Sequence, residues 1–161
     1  MDNNKDRQDI VKNKAIMSLL SVNENVVLAR IAAASFAARL DLTVTDIDEV
    51  KVAISEAITN AIIHGYQGKA FKDETNEENL VEFTMILYED RIEYVIKDFG
   101  IGIDDIEQVR KNKAVKGADR MGLGFVFMES FMDKLEIKSK LYEGTEVILT
   151  KNIKKMSQTE D

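Results

Sequence analysis

The sequence predicts an α+β fold, a two-layer sandwich with helices on one face of a mixed, mostly antiparallel sheet, and three observations support it. Two segments, Asn23 to about Leu40 and Thr45 to Gly65, have apolar residues at helical spacing. Two later segments alternate polar and apolar residues across short turns, the mark of hairpins. With 161 residues, 45% of them hydrophobic, the chain suits one domain with a single sizeable core.

The elements follow in order. Residues 1 to 12 are polar and lack apolar periodicity, so they read as a disordered tail. KAIMSLL, from Lys14, is a short first strand. Asn23 or Asn25 is placed to cap a first helix, whose Ala32, Ala33, Ala34, Ala37 and Ala38 permit close packing. Thr45 or Asp46 is placed to cap a second helix, and a polar loop, 66–78, follows it. Val81, Phe83, Met85 and Leu87 then point one way, and Ile92, Tyr94 and Ile96 return after a Glu89-Asp90 turn. A loop-rich region leads to a short helix from about Gly124 to Met132. The last hairpin alternates Leu135, Ile137, Ser139 and Leu141 with Lys134, Glu136, Lys138 and Lys140, turns at Tyr142 to Gly144 and returns as TEVILTK. Residues 154–161 form a polar tail, which leaves 13–153 as the folded domain.

Composition narrows the chemistry. Without cysteine there are no disulfides, thiolate zinc sites or cysteine nucleophiles, and one histidine makes a histidine-rich metal site a poor reading. A net charge of -7 argues against direct DNA binding, which relies on Lys and Arg neutralising phosphates. A basic protein surface is the better partner. The longest apolar run, VVLARIAAASFAARL, contains Arg30 and Arg39 and falls short of the roughly 18 uncharged residues of a membrane span. The charged start, MDNNKDRQD, lacks the apolar core of a signal peptide, so a cytoplasmic location is expected.

Candidate chemistry starts in SEAITNAIIHG, Ser55 to Gly65. Glu56 and Asn60 are four residues apart and share one helix face, with Ser55 and Thr59 beside them. Such a stripe can simply be solvated. It can also present an amide oxygen suited to Mg²⁺ at Asn60 and a base at Glu56. Five of the 8 glycines fall in DFGIG (Asp98 to Gly102), GLG (Gly122 to Gly124) and at Gly144 of EGT. DFGIG begins where the strand VIKD should end, placing a carboxylate and bare backbone where a ligand can meet them. GLG opens a helix, where free amides can meet phosphate oxygens. Between them, RKNKAVKGADR holds Arg110, Lys111, Lys113, Lys116 and Arg120 against one acid, Asp119, and suits a lid over phosphates. His64 closes the second helix, where a cation meets the helix dipole favourably, and reads as structural.

In this order, SEAITNAIIHG, DFGIG, RMGLGF and EGT resemble the four nucleotide-binding motifs of the GHKL ATPase and kinase superfamily. Within it, ARIAAASFAARL and GLGFVFMESFMDKLEI are most similar to the anti-sigma factors that are serine protein kinases, of the sporulation anti-sigma F type. The resemblance spans about residues 14 to 153. It implies ATP or ADP as ligand, Mg²⁺ held by Asn60, and Glu56 as the base for an attacking serine hydroxyl. It also implies that Asp98 accepts from the adenine amine, that Gly100 and Gly102 admit base and sugar, and that Thr145 supports the adenine. Gly122 and Gly124 would bind phosphates, and Arg120 would stabilise γ-phosphate charge. Arg30 matches an arginine that contacts partners: a sigma factor of the F type, held by a homodimer, and an anti-anti-sigma protein phosphorylated on serine. The apolar first helix and first strand are the expected dimer surface.

One departure is the lid, where AVKGAD lacks the threonine-rich, proline-containing stretch expected of the family, and the chain has no proline at all. Competing readings are a histidine kinase catalytic domain, a general-stress-type anti-sigma kinase and a non-catalytic, nucleotide-dependent sigma-binding module. The only histidine lies inside a nucleotide motif, so any phosphoacceptor is on another protein. Glu56 argues against the pure binder, which needs no base.

Overall fold

The computed structural model of the chain describes residues 10–66, 79–111 and 120–153. Five strands, β1 (Asn13–Leu20), β2 (Leu80–Leu87), β3 (Arg91–Asp98), β4 (Lys134–Lys140) and β5 (Gly144–Asn152), form one sheet in the order β1-β2-β3-β5-β4. Every pairing is antiparallel. Helices α1 (Glu24–Ala37), α2 (Val44–Asn60) and α4 (Arg120–Phe131) form the second layer, and α3 (Ile106–Lys111) is a short helix before α4.

Register explains the core. Ala15, Met85, Tyr94, Leu149 and Leu135 form one row across the sheet, and Met17, Phe83, Ile96, Val147 and Ile137 form the next. Both rows face the helices, whose Val50, Ala53, Ile54, Ile58, Phe125 and Met128 are buried against them. A fully buried aliphatic or Phe side chain stabilises by about 1.5–3 kcal/mol, so this interface carries most of the fold's apolar driving force. Ala29, Ala33 and Ala37 recur every fourth residue on α1, are fully buried and let it lie close on α2. On the outer side of α1, Val27, Leu28 and Ile31 are exposed, as is Ile16 on the edge strand β1.

Helix ends depart from expectation for local reasons. Neither asparagine caps α1 through its side chain: Asn23 occupies the cap position without a side-chain bond, and Asn25 donates its amide back to the Leu20 carbonyl at 2.8 Å. α1 ends at Ala37, three residues before Leu40. α2 is capped by Thr43, in place of Thr45 or Asp46. The Thr43 hydroxyl accepts from the Asp46 N–H at 3.1 Å, and the Asp46 carboxylate accepts from the Thr43 N–H at 2.9 Å, a reciprocal capping box. The chain continues helical to Gly65 as expected, but Ala61–Gly65 widens into a π-helical turn. Tyr66, expected to start the loop, is buried, and the rest of that loop lies outside the described residues. α3 was not expected. Asp105 starts it by accepting from the Gln108 N–H at 2.9 Å. α4 begins at Arg120, four residues before the expected Gly124, so GLG sits within its first turns.

Candidate functional site

The pocket opens where the end of α2, the β3 end and the start of β5 meet. Its lining includes Asn60, His64, Asp98, Gly102, Phe125 and Thr145. It lies at the strand ends because β3 stops at Asp98 and the chain turns there, leaving side chains and backbone unpaired by the sheet.

Asp98 brings a carboxyl group to this pocket and is 4% exposed. Its Oδ1 accepts from the Gly100 N–H at 3.0 Å and the Thr145 N–H at 3.3 Å. Burial pushes its pKa up to about 6, while those two amides pull it down. The turn after Asp98 is clamped from both sides. Tyr66 donates its hydroxyl proton to the Leu80 carbonyl and accepts the Phe99 N–H at 3.0 Å, and the Ile101 N–H donates to the Gly65 carbonyl at 2.9 Å. A side chain at Gly100 has no room, since a Cβ there would lie 1.8 Å from the Gly65 carbonyl oxygen.

Glu56 and Asn60 sit one turn apart on α2, both half-buried, and α4 meets them at Gly124. A Cβ at Gly124 would lie 2.9 Å from a Glu56 carboxylate oxygen and 3.2 Å from the Asn60 amide nitrogen, so glycine is what lets α4 pass directly over both. That Asn60 nitrogen is buried without a hydrogen-bond partner. A buried unpaired amide costs about 1–3 kcal/mol and is retained where a ligand completes it. Its nitrogen and oxygen exchange places by a simple flip, so an oxygen can face the same point. One amide oxygen beside a carboxylate fits Mg²⁺, which keeps few protein ligands. Among the described residues, no three His, Cys, Asp or Glu side chains cluster to enclose a metal on their own.

Asn60, Asp98, Gly102 and Thr145 line one pocket, Gly100 shapes the turn beside them, and Glu56 stands behind Gly124. Arg30 is exposed on α1, which contributes nothing to the pocket lining. Gly122 lies on α4 and Arg120 starts it, but their side-chain surroundings, like lid residues 112–119, lie outside the described residues. Ser55 is not part of the site: its hydroxyl donates back to the Lys51 carbonyl at 2.7 Å. Sequence reasoning missed Tyr66 and Ser139. The signal for Ser139 was available, because it follows Leu135 and Ile137 as the one polar residue on the apolar face of its own strand.

A family model described as a histidine kinase-like ATPase domain matches residues 20–151. The anti-sigma F factor of Clostridium beijerinckii is 42% identical over 147 residues, covering 90% of this chain and 98% of the relative. The chain belongs to the anti-sigma F factor family. Other anti-sigma F factors, from Oceanobacillus iheyensis and Priestia megaterium, are 39% and 37% identical over 90% and 89% of this chain and 96% and 95% of their own. A crystal structure of RsbU and RsbW domains from Mycobacterium tuberculosis aligns with a TM-score of 0.58 at 16% identity. It covers 88% of this chain, which spans only 32% of that longer one, and it shows the shared fold. No helix among the described residues is long and apolar enough to cross a membrane.

Proposed function

We propose that this chain is an ATP- and Mg²⁺-dependent serine protein kinase that also binds a sigma factor of the sporulation F type. Its phosphoacceptor is a serine of an anti-anti-sigma protein. The observation that carries this reading is the convergence of Glu56 and Asn60 under Gly124, with the Asn60 amide nitrogen buried and unpaired. A fold that only held nucleotide in place has no use for a carboxylate at that point.

The site residues divide the work as follows. Asp98 accepts from the adenine amine, Thr145 supports the base, and Gly100 and Gly102 admit base and sugar to the backbone. Asn60 holds Mg²⁺, which, when bound, neutralises charge on the phosphates of ATP. Gly122 and Gly124 bind the phosphates, and Arg120 stabilises charge on the γ-phosphate. Glu56 takes the serine proton as the serine oxygen forms its bond to the γ-phosphorus and the bond to the departing ADP oxygen breaks. Positioning and charge are most of what phosphoryl transfer asks of a protein, and no cysteine or histidine nucleophile is needed. Arg30 and the exposed Val27, Leu28 and Ile31 on α1 form the surface for protein partners, and a homodimer holds the sigma factor.

The test is transfer of label from γ-labelled ATP to an anti-anti-sigma protein with Mg²⁺ present. Glu56→Ala should lower transfer by about 10²- to 10⁴-fold while ATP still binds, as expected on losing a general base. Binding of ATP and sigma factor without transfer in the unmutated protein would leave only a nucleotide-dependent binding module.

A further inference from the structure

The end row of the sheet differs from the rows beside it. On the helix-covered face it runs Leu19, Val81, Asp98, Thr145, Ser139 across β1, β2, β3, β5 and β4. Its last three positions are polar, whereas the next two rows toward the core hold only apolar side chains and Tyr94. Asp98 and Thr145 line the pocket, while Ser139 stands behind Thr145, outside that lining.

Ser139 is a hydrogen-bonding hub. Its hydroxyl oxygen accepts the Ile103 N–H at 2.7 Å, lies 2.8 Å from the Thr145 hydroxyl oxygen and lies 3.0 Å from the Gly144 carbonyl oxygen. A serine has one hydroxyl proton, and here it has two destinations. Directed to Gly144, it obliges Thr145 to donate to Ser139, so that Thr145 offers the pocket only lone pairs. Directed to Thr145, it satisfies that oxygen and frees the threonine proton to point into the pocket.

We propose that Ser139 is a positioning residue for base selection: on nucleotide entry its proton turns from the Gly144 carbonyl to the Thr145 hydroxyl oxygen, and Thr145 then donates into the pocket beside the acceptor Asp98. That acceptor-donor pair matches the edge of adenine, which offers an amine donor next to a ring-nitrogen acceptor. The inference rests on the reading of this pocket as an ATP site. The Ile103 contact gives Ser139 a second effect, because it ties the segment after Gly102 to β4 and keeps the hydroxyl from rotating away.

The test compares ATP with 1-deaza-ATP, which keeps the amine and lacks the ring-nitrogen acceptor, by titration calorimetry on the full chain. Ser139→Ala should reduce the preference for ATP over 1-deaza-ATP by about three- to tenfold, the worth of one neutral hydrogen bond. Ser139→Thr, which keeps the hydroxyl, should restore it. In a Thr145→Val background the preference should already be lost, and Ser139→Ala should change it no further. An unchanged preference in Ser139→Ala, whether or not both nucleotides weaken equally, would mean that Thr145 donates without help from Ser139, would reduce Ser139 to a structural support of the loop and would overturn the proposal. Additive effects of the two substitutions on the preference would overturn it as well. Failure of the unmutated chain to bind ATP would instead remove the nucleotide reading itself. If the alanine variant does not fold, Ser139→Cys, of similar size and a weak donor, carries the same expectation.

Discussion

Asp98 is pulled in opposite directions by its surroundings, and the balance sets a pH dependence. Burial raises its pKa to about 6, against the lowering effect of the Gly100 and Thr145 amides. Because the folded value lies above the ordinary 3.8, this group adds most to stability below 3.8, and that contribution is lost as pH rises through about 6. Nucleotide binding has the opposite sign, since accepting from the adenine amine requires the carboxylate. ATP affinity is therefore expected to fall by up to about tenfold per pH unit below the Asp98 pKa, and Asp98→Asn should bind more weakly with that pH dependence flattened. Calorimetric titrations on both sides of this pKa check both outcomes. At this scale the sequence was informative about Asp98, Asn60 and Glu56, because their residue types and neighbouring glycines already narrowed the chemistry. It was silent on Tyr66, and for Ser139 it marked a polar residue among apolar ones without naming its partners, which lie across the sheet or beyond a loop: Ile103 is 36 residues from Ser139, and Phe99 is 33 from Tyr66.

At the scale of elements, the strands were legible and the helix ends were not. Period-two alternation fixes which side of a strand is buried, and a slip of one residue would turn every apolar side chain to water, so β2, β3, β4 and β5 were read within a residue or two. A helix end depends on which of several hydroxyls reaches a free amide. LTVTD offers Thr43 and Thr45, and only Thr43 is spaced to exchange bonds with Asp46. Thr43→Ala is expected to destabilise the fold by about 1 kcal/mol, with an unchanged denaturant slope in urea unfolding and unchanged ATP affinity. A larger loss would mean that the box also holds the loop between α1 and α2. The lowered pKa of Asp46, due first to its bonds from Thr43 and then to Lys151, predicts that its contribution is present above its ordinary carboxylate range and lost in acid, as pH falls through the lowered folded value.

For the whole molecule, Lys151 joins the two layers. It is 7% exposed, and its ammonium reaches Glu49 at 2.7 Å, Asp46 at 3.4 Å and the Phe131 carbonyl at 2.9 Å, so one β5 residue binds the start of α2 and the end of α4. Burial alone would lower its pKa, but Glu49 and Asp46 outweigh it and the net shift is upward. Its stabilisation is therefore complete below the ordinary lysine value and lost as pH rises through the higher folded one. Lys151→Ala is expected to cost about 2–3 kcal/mol in chemical unfolding, below the 3–5 of a fully buried pair because both carboxylates keep some solvent. Lys151→Met should recover part of this by refilling the volume. A lysine in the alternating run TEVILTK gives no sign of that role, since alternation states which face a side chain takes and nothing about what crosses that face. By itself the sequence determined the layer architecture, the hairpin faces and the identities of the pocket's charged and amide groups, because these follow from local periodicity and residue chemistry. Only the tertiary structure decided which hydroxyls back the pocket, how closely Gly124 brings α4 to Glu56 and Asn60, and which lysine ties sheet to helices, because those contacts depend on strand order and interlayer distance that no local pattern encodes.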